Sequence, residues 1–78
     1  MKKNFDDNYK KLGLKISYYR KLKGFTQEQL ADSIEMSAVF IGQVEAPKMH
    51  KAISMDTLFL ISEALGVPAH KFLDFNDD

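Results

Sequence analysis

Apolar residues recur along this chain at the three- and four-residue steps of an amphipathic helix. Between Asn8 and Lys23, the positions Tyr9, Leu12, Ile16 and Tyr19 fall on one such face, which predicts a first helix over 8–23. Gly24 supplies its C-terminal stop. No stretch keeps the period of two that a half-buried strand needs, and no Asn-Gly or Asp-Gly hairpin signal occurs. Three further helix starts share one device. Thr26 lies between Phe25 and Leu30, Ser37 between Met36 and Ile41, and Ser54 between Ile53 and Leu58. In each, a hydroxyl suited to capping follows one apolar residue and precedes another by four, the spacing of a hydrophobic staple. Gln29 adds a capping box to Thr26.

The predicted helices are 8–23, 26–34, 37–45, 54–65 and 68–74. Gly66 ends the fourth, and Pro68 suits the first turn of the fifth. Only Glu35 and Met36 separate the second helix from the cap of the third. So tight a link forces a sharp angle between two short helices, the helix-turn-helix unit. The expected fold class is therefore all-α, a bundle of five short helices. Residues 1–7 read as an N-terminal arm, 8–74 as the domain, and 75–78 as an acidic tail that frays. Ala46 to Ile53 forms the longest internal loop.

Composition narrows the class. At 78 residues the chain is one small domain with a marginal core, a size at which dimerisation often adds stability. It has no cysteine, hence no disulfide, thiolate nucleophile or cysteine zinc site. No apolar run approaches the ~18 residues of a membrane helix, and the N-terminus lacks a signal-peptide apolar stretch. A cytoplasmic protein is the expectation. His50 and His70 have no helix-spaced partner for a metal, and no Gly-rich phosphate loop or nucleophile elbow is present. A chain this short also leaves little room for a pocket of ~300 Å³. No enzyme and no cofactor is expected.

Net charge is zero, which taken alone argues against nucleic acid. The zero is a cancellation along the chain. Residues 1–25 hold eight basic residues against Asp6 and Asp7, whereas 26–45 hold Glu28, Asp32, Glu35 and Glu45 and no base. Lys48 and Lys51 return positive charge to the 46–53 loop, and 54–78 is acidic again.

The ordered set Arg20, Gly24-Phe25-Thr26-Gln27, Leu30-Ala31, Ile41-x-x-Val44-Glu45 and Leu58-x-x-Ile61 with Ala64-Leu65-Gly66-Val67 resembles the phage-repressor (Xre/Cro-type) helix-turn-helix domain, from Leu12 to Leu73. The resemblance implies a DNA-binding transcriptional regulator, with the third helix in the major groove and the second across the backbone. It implies a structural ion pair between Arg20 and Glu45. It places Ser37, Ala38, Val39, Phe40 and Gln43 at the base edges, where Gln43 can read adenine and the apolar side chains can meet thymine methyls. Thr26, Gln27, Lys48 and Lys51 fall at phosphate-contacting positions, with His50 in the same loop.

The chain departs from that pattern in three places. No Lys or Arg lies between Ser37 and Glu45. Glu35 takes the turn position where the family places Gly, at a cost of about 1 kcal/mol if φ is positive there. Ala46-Pro47 replaces the usual Asn-Gly after the third helix. An alternative reading is therefore a protein-interaction module that keeps the fold and uses Ala38, Val39 and Phe40 to hold a partner.

After the expected core is filled, Phe5, Tyr18, Phe40, Phe59, Leu60, Leu73 and Phe75 lack an obvious slot. Part of the dense C-terminal set Phe59, Leu60, Phe72, Leu73 and Phe75 is expected to form a homodimer interface, the alternative being that these residues cap the core from the C-terminal side. A dimer would set two recognition helices about 34 Å apart, one turn of double-stranded DNA.

Overall fold

Asp6 and Asp7 open the first helix, α1 (Asp6–Lys23), earlier than the apolar pattern indicates. Their carboxylates suit the positive end of the helix dipole, so both belong to the helix and not to an arm. The computed structural model describes residues 4–48 and 51–76. Residues 1–3 of the expected arm, His50 in the loop, and Asp77 and Asp78 of the tail lie outside the described residues.

The hydroxyl caps set the next three starts. Thr26 Oγ1 accepts from the Gln29 amide at 3.0 Å, and the Gln29 side chain accepts from the Thr26 amide at 2.8 Å, a complete capping box before α2 (Gln27–Ser33). Ser37 Oγ accepts from the Phe40 amide at 3.1 Å at the start of α3 (Ala38–Glu45). Ser54 Oγ accepts from the Thr57 amide at 3.1 Å at the start of α4 (Met55–Leu65). The last helix, α5 (Ala69–Phe72), is shorter than expected. Pro68 is its N-cap and not part of its first turn, and a bond from the Leu73 amide to the His70 carbonyl closes it.

Three helices end alike. The amide of the residue just after the left-handed position reaches back to a carbonyl of the last turn: Phe25 to Arg20 at 3.1 Å, Met36 to Ala31 at 2.9 Å, and Val67 to Ser62 at 3.1 Å. This Schellman geometry needs a residue in the left-handed region. Gly24 (φ 85°) and Gly66 (φ 67°) supply it, and between α2 and α3 Glu35 does so at φ 58°.

These elements form an all-α bundle of five helices with no strand among the described residues. Ile16 of α1, Leu30 of α2, Ile41 of α3, Leu58 and Ile61 of α4, and Phe72 of α5 are fully buried, so each helix contributes to one core. α2 packs on α3, and α1 crosses α3, α4 and α5. The α1–α3 crossing is unusually close. A β-carbon at Gly13 would overlap the Val44 carbonyl oxygen, so the backbone of α1 lies directly on the backbone of α3. Phe40 and Phe75, which the apolar pattern left without a slot, both pack partly buried against the core. Phe75 also lies beneath Lys11 Nζ, 6.0 Å from its ring centroid. The tail thus packs on the domain at Phe75.

Candidate nucleic-acid interface

The helix that would meet DNA is held from beneath by a buried ionic knot. Glu45 closes α3, and its carboxylate accepts from Arg20 Nε at 2.7 Å and from Arg20 Nη2 at 2.9 Å. Both side chains are less than a tenth exposed. Arg20 Nη1 donates to the Phe25 carbonyl at 2.6 Å, which ties the end of α1 to the approach of α2. Gln27 Nε2 donates to Glu45 at 3.1 Å. The knot therefore joins α1, the α1–α2 loop, α2 and α3. No buried side-chain nitrogen or oxygen among the described residues is left without a partner, which is the condition for a buried pair to be tolerated.

Gln27 thus has an engagement that sequence reading missed. Its amide nitrogen carries two hydrogens. One is given to Glu45. The Gln27 carbonyl oxygen lies 3.5 Å from where a β-carbon at Gly42 would be, so the side chain rests against α3. Thr26, the other expected phosphate contact on α2, is exposed and uses its hydroxyl in the cap.

On α3 the expected base-contacting residues divide. Val39 is 71% exposed, the most exposed large apolar side chain described. Gln43 follows four residues later, hence on the same face. Ser37 is exposed and its hydroxyl oxygen caps the helix. Ala38 and Phe40 turn partly into the core. Phe40 also carries Lys51 over its ring, with Nζ 5.9 Å from the centroid. That contact returns one cation to the edge of a helix that has none. Lys48 is exposed in the same loop.

The expected dimer residues also divide. Phe72 is fully buried and serves the core through an edge-to-face contact with Tyr19 at 5.2 Å. It presents no surface to a partner, which corrects its place in that set. Phe59, Leu60 and Leu73 are exposed. Leu73 and Phe75 line, with Phe5, Tyr9, Met55 and Leu58, an apolar cleft of about 280 Å³. A chain this short therefore does hold a pocket near the size thought excluded. Its lining includes no carboxylate, histidine or lysine. Among the described residues no group of three metal-ligating side chains occurs, and no helix is long and apolar enough to cross a membrane.

Two short capped helices meeting across a left-handed turn, with a buried arginine–glutamate pair locking the second to α1, define the repressor type of helix-turn-helix domain. Residues 16–72 match the family described as helix-turn-helix, and the chain belongs to this Xre/Cro-like family of DNA-binding transcriptional regulators. Such regulators are not typically enzymes. No curated protein matches the chain.

Proposed function

We propose that this protein is a repressor that binds a palindromic operator as a homodimer, with α3 in the major groove. The observation that carries the reading is the outward face of α3. Val39 is exposed, and Gln43, four residues on, is half-buried on the same face of a helix whose end is fixed through Glu45. Gln43 offers a donor and an acceptor to adenine, and Val39 an apolar contact to a thymine methyl. Ser37 and the solvent-facing parts of Ala38 and Phe40 border the same groove. Phosphates are met by the second amide hydrogen of Gln27, beside Thr26, and by Lys48 and Lys51. The exposed Phe59, Leu60 and Leu73, with the partly buried Phe75, supply the dimer contact.

The test is a mobility-shift titration with DNA from upstream of the protein's own gene. Gln27→Ala is expected to weaken all sequences alike, because a phosphate contact carries no base information. Gln43→Ala is expected to change sequence preference. No shift at low salt, or a change of preference from Gln27→Ala alone, overturns the assignment. A protein-interaction role for α3 predicts instead a partner complex that barely responds to salt.

A further inference from the structure

α3 offers no ionised side chain to the bases. Glu45 is its one charged residue, and that carboxylate is buried in its bonds to Arg20. Ile41 and Val44 also turn into the core. Val39 is left exposed at 71%, with Ala38, Gly42 and Gln43 half-buried around it. Ala38 ends at a methyl and Gly42 has no side chain, so the isopropyl group of Val39 stands proud of this surface. Phe40 turns partly to the core and carries Lys51 over its ring. In the major groove guanine presents two acceptors, best met by arginine or lysine, and cytosine presents a donor, best met by a carboxylate. α3 supplies neither partner. The Ser37 hydroxyl suits any base pair and selects none. An apolar side chain has one feature to distinguish there, the methyl group on C5 of a pyrimidine. Thymine carries that methyl, and so does 5-methylcytosine; cytosine and uracil do not.

We propose that Val39 recognises the C5-methyl group itself and not the base that bears it. The ligand of this surface is then DNA with a methylated pyrimidine C5 under Val39, as thymine or as 5-methylcytosine. This rests on the reading that α3 enters the major groove, and adds to it the atom that is recognised and a second base that satisfies it. The methyl and the isopropyl group both leave water on contact, which adds about fourfold in affinity for each methyl covered, the effect of burying one methylene. No charge takes part, so the increment is independent of salt, unlike the phosphate contacts of Lys48 and Lys51. A cytosine in that place gives a weak site, and its methylation at C5 gives a strong one.

The experiment is fluorescence anisotropy of the full chain with synthetic duplexes that span the DNA upstream of its own gene, with circular dichroism to verify the variant's fold. Uracil replaces thymine one position at a time, which removes a methyl and leaves every hydrogen-bonding group in place. At one position and its symmetry mate, affinity is expected to fall about fourfold, equally at low and at high salt. A cytosine–guanine pair there should bind as weakly as uracil does, and a 5-methylcytosine–guanine pair should recover most of the loss. In Val39→Ala the same exchanges should each change affinity by less than about twofold, because the methyl has lost its partner. The proposal is overturned if no single uracil matters, if Val39→Ala keeps the full methyl effect, or if plain cytosine binds as well as 5-methylcytosine. In each of those cases the chain still binds thymine DNA, so the regulator reading stands. Failure to bind any of the duplexes at low salt overturns that reading and the proposal together.

Discussion

Glu35 shows how much one side chain can be asked to bear. It sits at φ 58° in the turn that sets the angle between α2 and α3. A side chain in the left-handed region costs on the order of 1–2 kcal/mol, whereas glycine takes it freely but loses more entropy on folding. Glu35→Gly is therefore expected to stabilise the domain by about 0.5–1 kcal/mol net. Thermal unfolding checks this: a midpoint several degrees higher is expected, and a lower one would mean that the Glu35 side chain holds a contact outweighing its strain. Arg20 and Glu45 set the opposite case. Both are buried and fully bonded to each other and their neighbours. Removing one partner leaves a buried charge alone, so Arg20→Ala or Glu45→Ala should each cost about 3–5 kcal/mol. Denaturant titration of the pair and of the double variant decides it, and a double variant losing the full sum of the singles would show that no coupling exists. The strained turn at Glu35 was legible in the sequence because the resemblance fixed its position in the motif. The bond from Gln27 to Glu45 was not, because residues 18 positions apart meet only after α2 folds onto α3.

Among the elements, the closeness of α1 and α3 decides where the exposed face of α3 points. Gly13 permits that closeness, since its missing side chain leaves room for the Val44 carbonyl. Helix propensity alone would favour alanine at position 13 by about 1 kcal/mol. The overlap reverses the sign. Separating two helices that also share Leu12, Ile16, Ile41 and Val44 in the core disturbs every layer above them, and overpacking of this kind costs about 1–3 kcal/mol. Gly13→Ala is thus expected to lower the urea midpoint and to shift amide resonances of both helices. A stabilised variant would mean that the helices slide apart freely. The helix starts were readable because a cap is a local device: Thr26, Ser37 and Ser54 act within three residues of themselves. Gly13 carried no such sign, because a glycine inside a helical pattern looks the same whether or not another backbone lies against it. Phe40, Phe72 and Phe75 misled for a related reason. Apolar identity says that an aromatic is to be covered, but whether by its own core or by a partner depends on how α5 and the tail fold back.

For the whole molecule, the question is how a chain of zero net charge would hold a polyanion. Acidic residues on α2 and α4 dilute the field, so steering and nonspecific affinity should be weak for a DNA-binding domain. What remains is local. Lys48 and Lys51 flank the end of α3, with Lys51 placed over Phe40, and the C-terminal turn of α1 adds Lys21 and Lys23. In the homodimer proposed above, three lysines per subunit on phosphate would release about six counterions, and the logarithm of the binding constant should fall against the logarithm of salt with a slope of about −5. Lys51→Ala in both subunits should make that slope shallower by about two and weaken all sequences alike. Phe40→Leu keeps an apolar side chain in place but removes the ring beneath Lys51. It should weaken binding by less than Lys51→Ala does, and in the Lys51→Ala background it should add little. Fluorescence anisotropy at several salt concentrations measures all three. A wild-type slope close to zero would remove phosphate from the account of this surface, and a normal slope unchanged by Lys51→Ala would move the contact to α1.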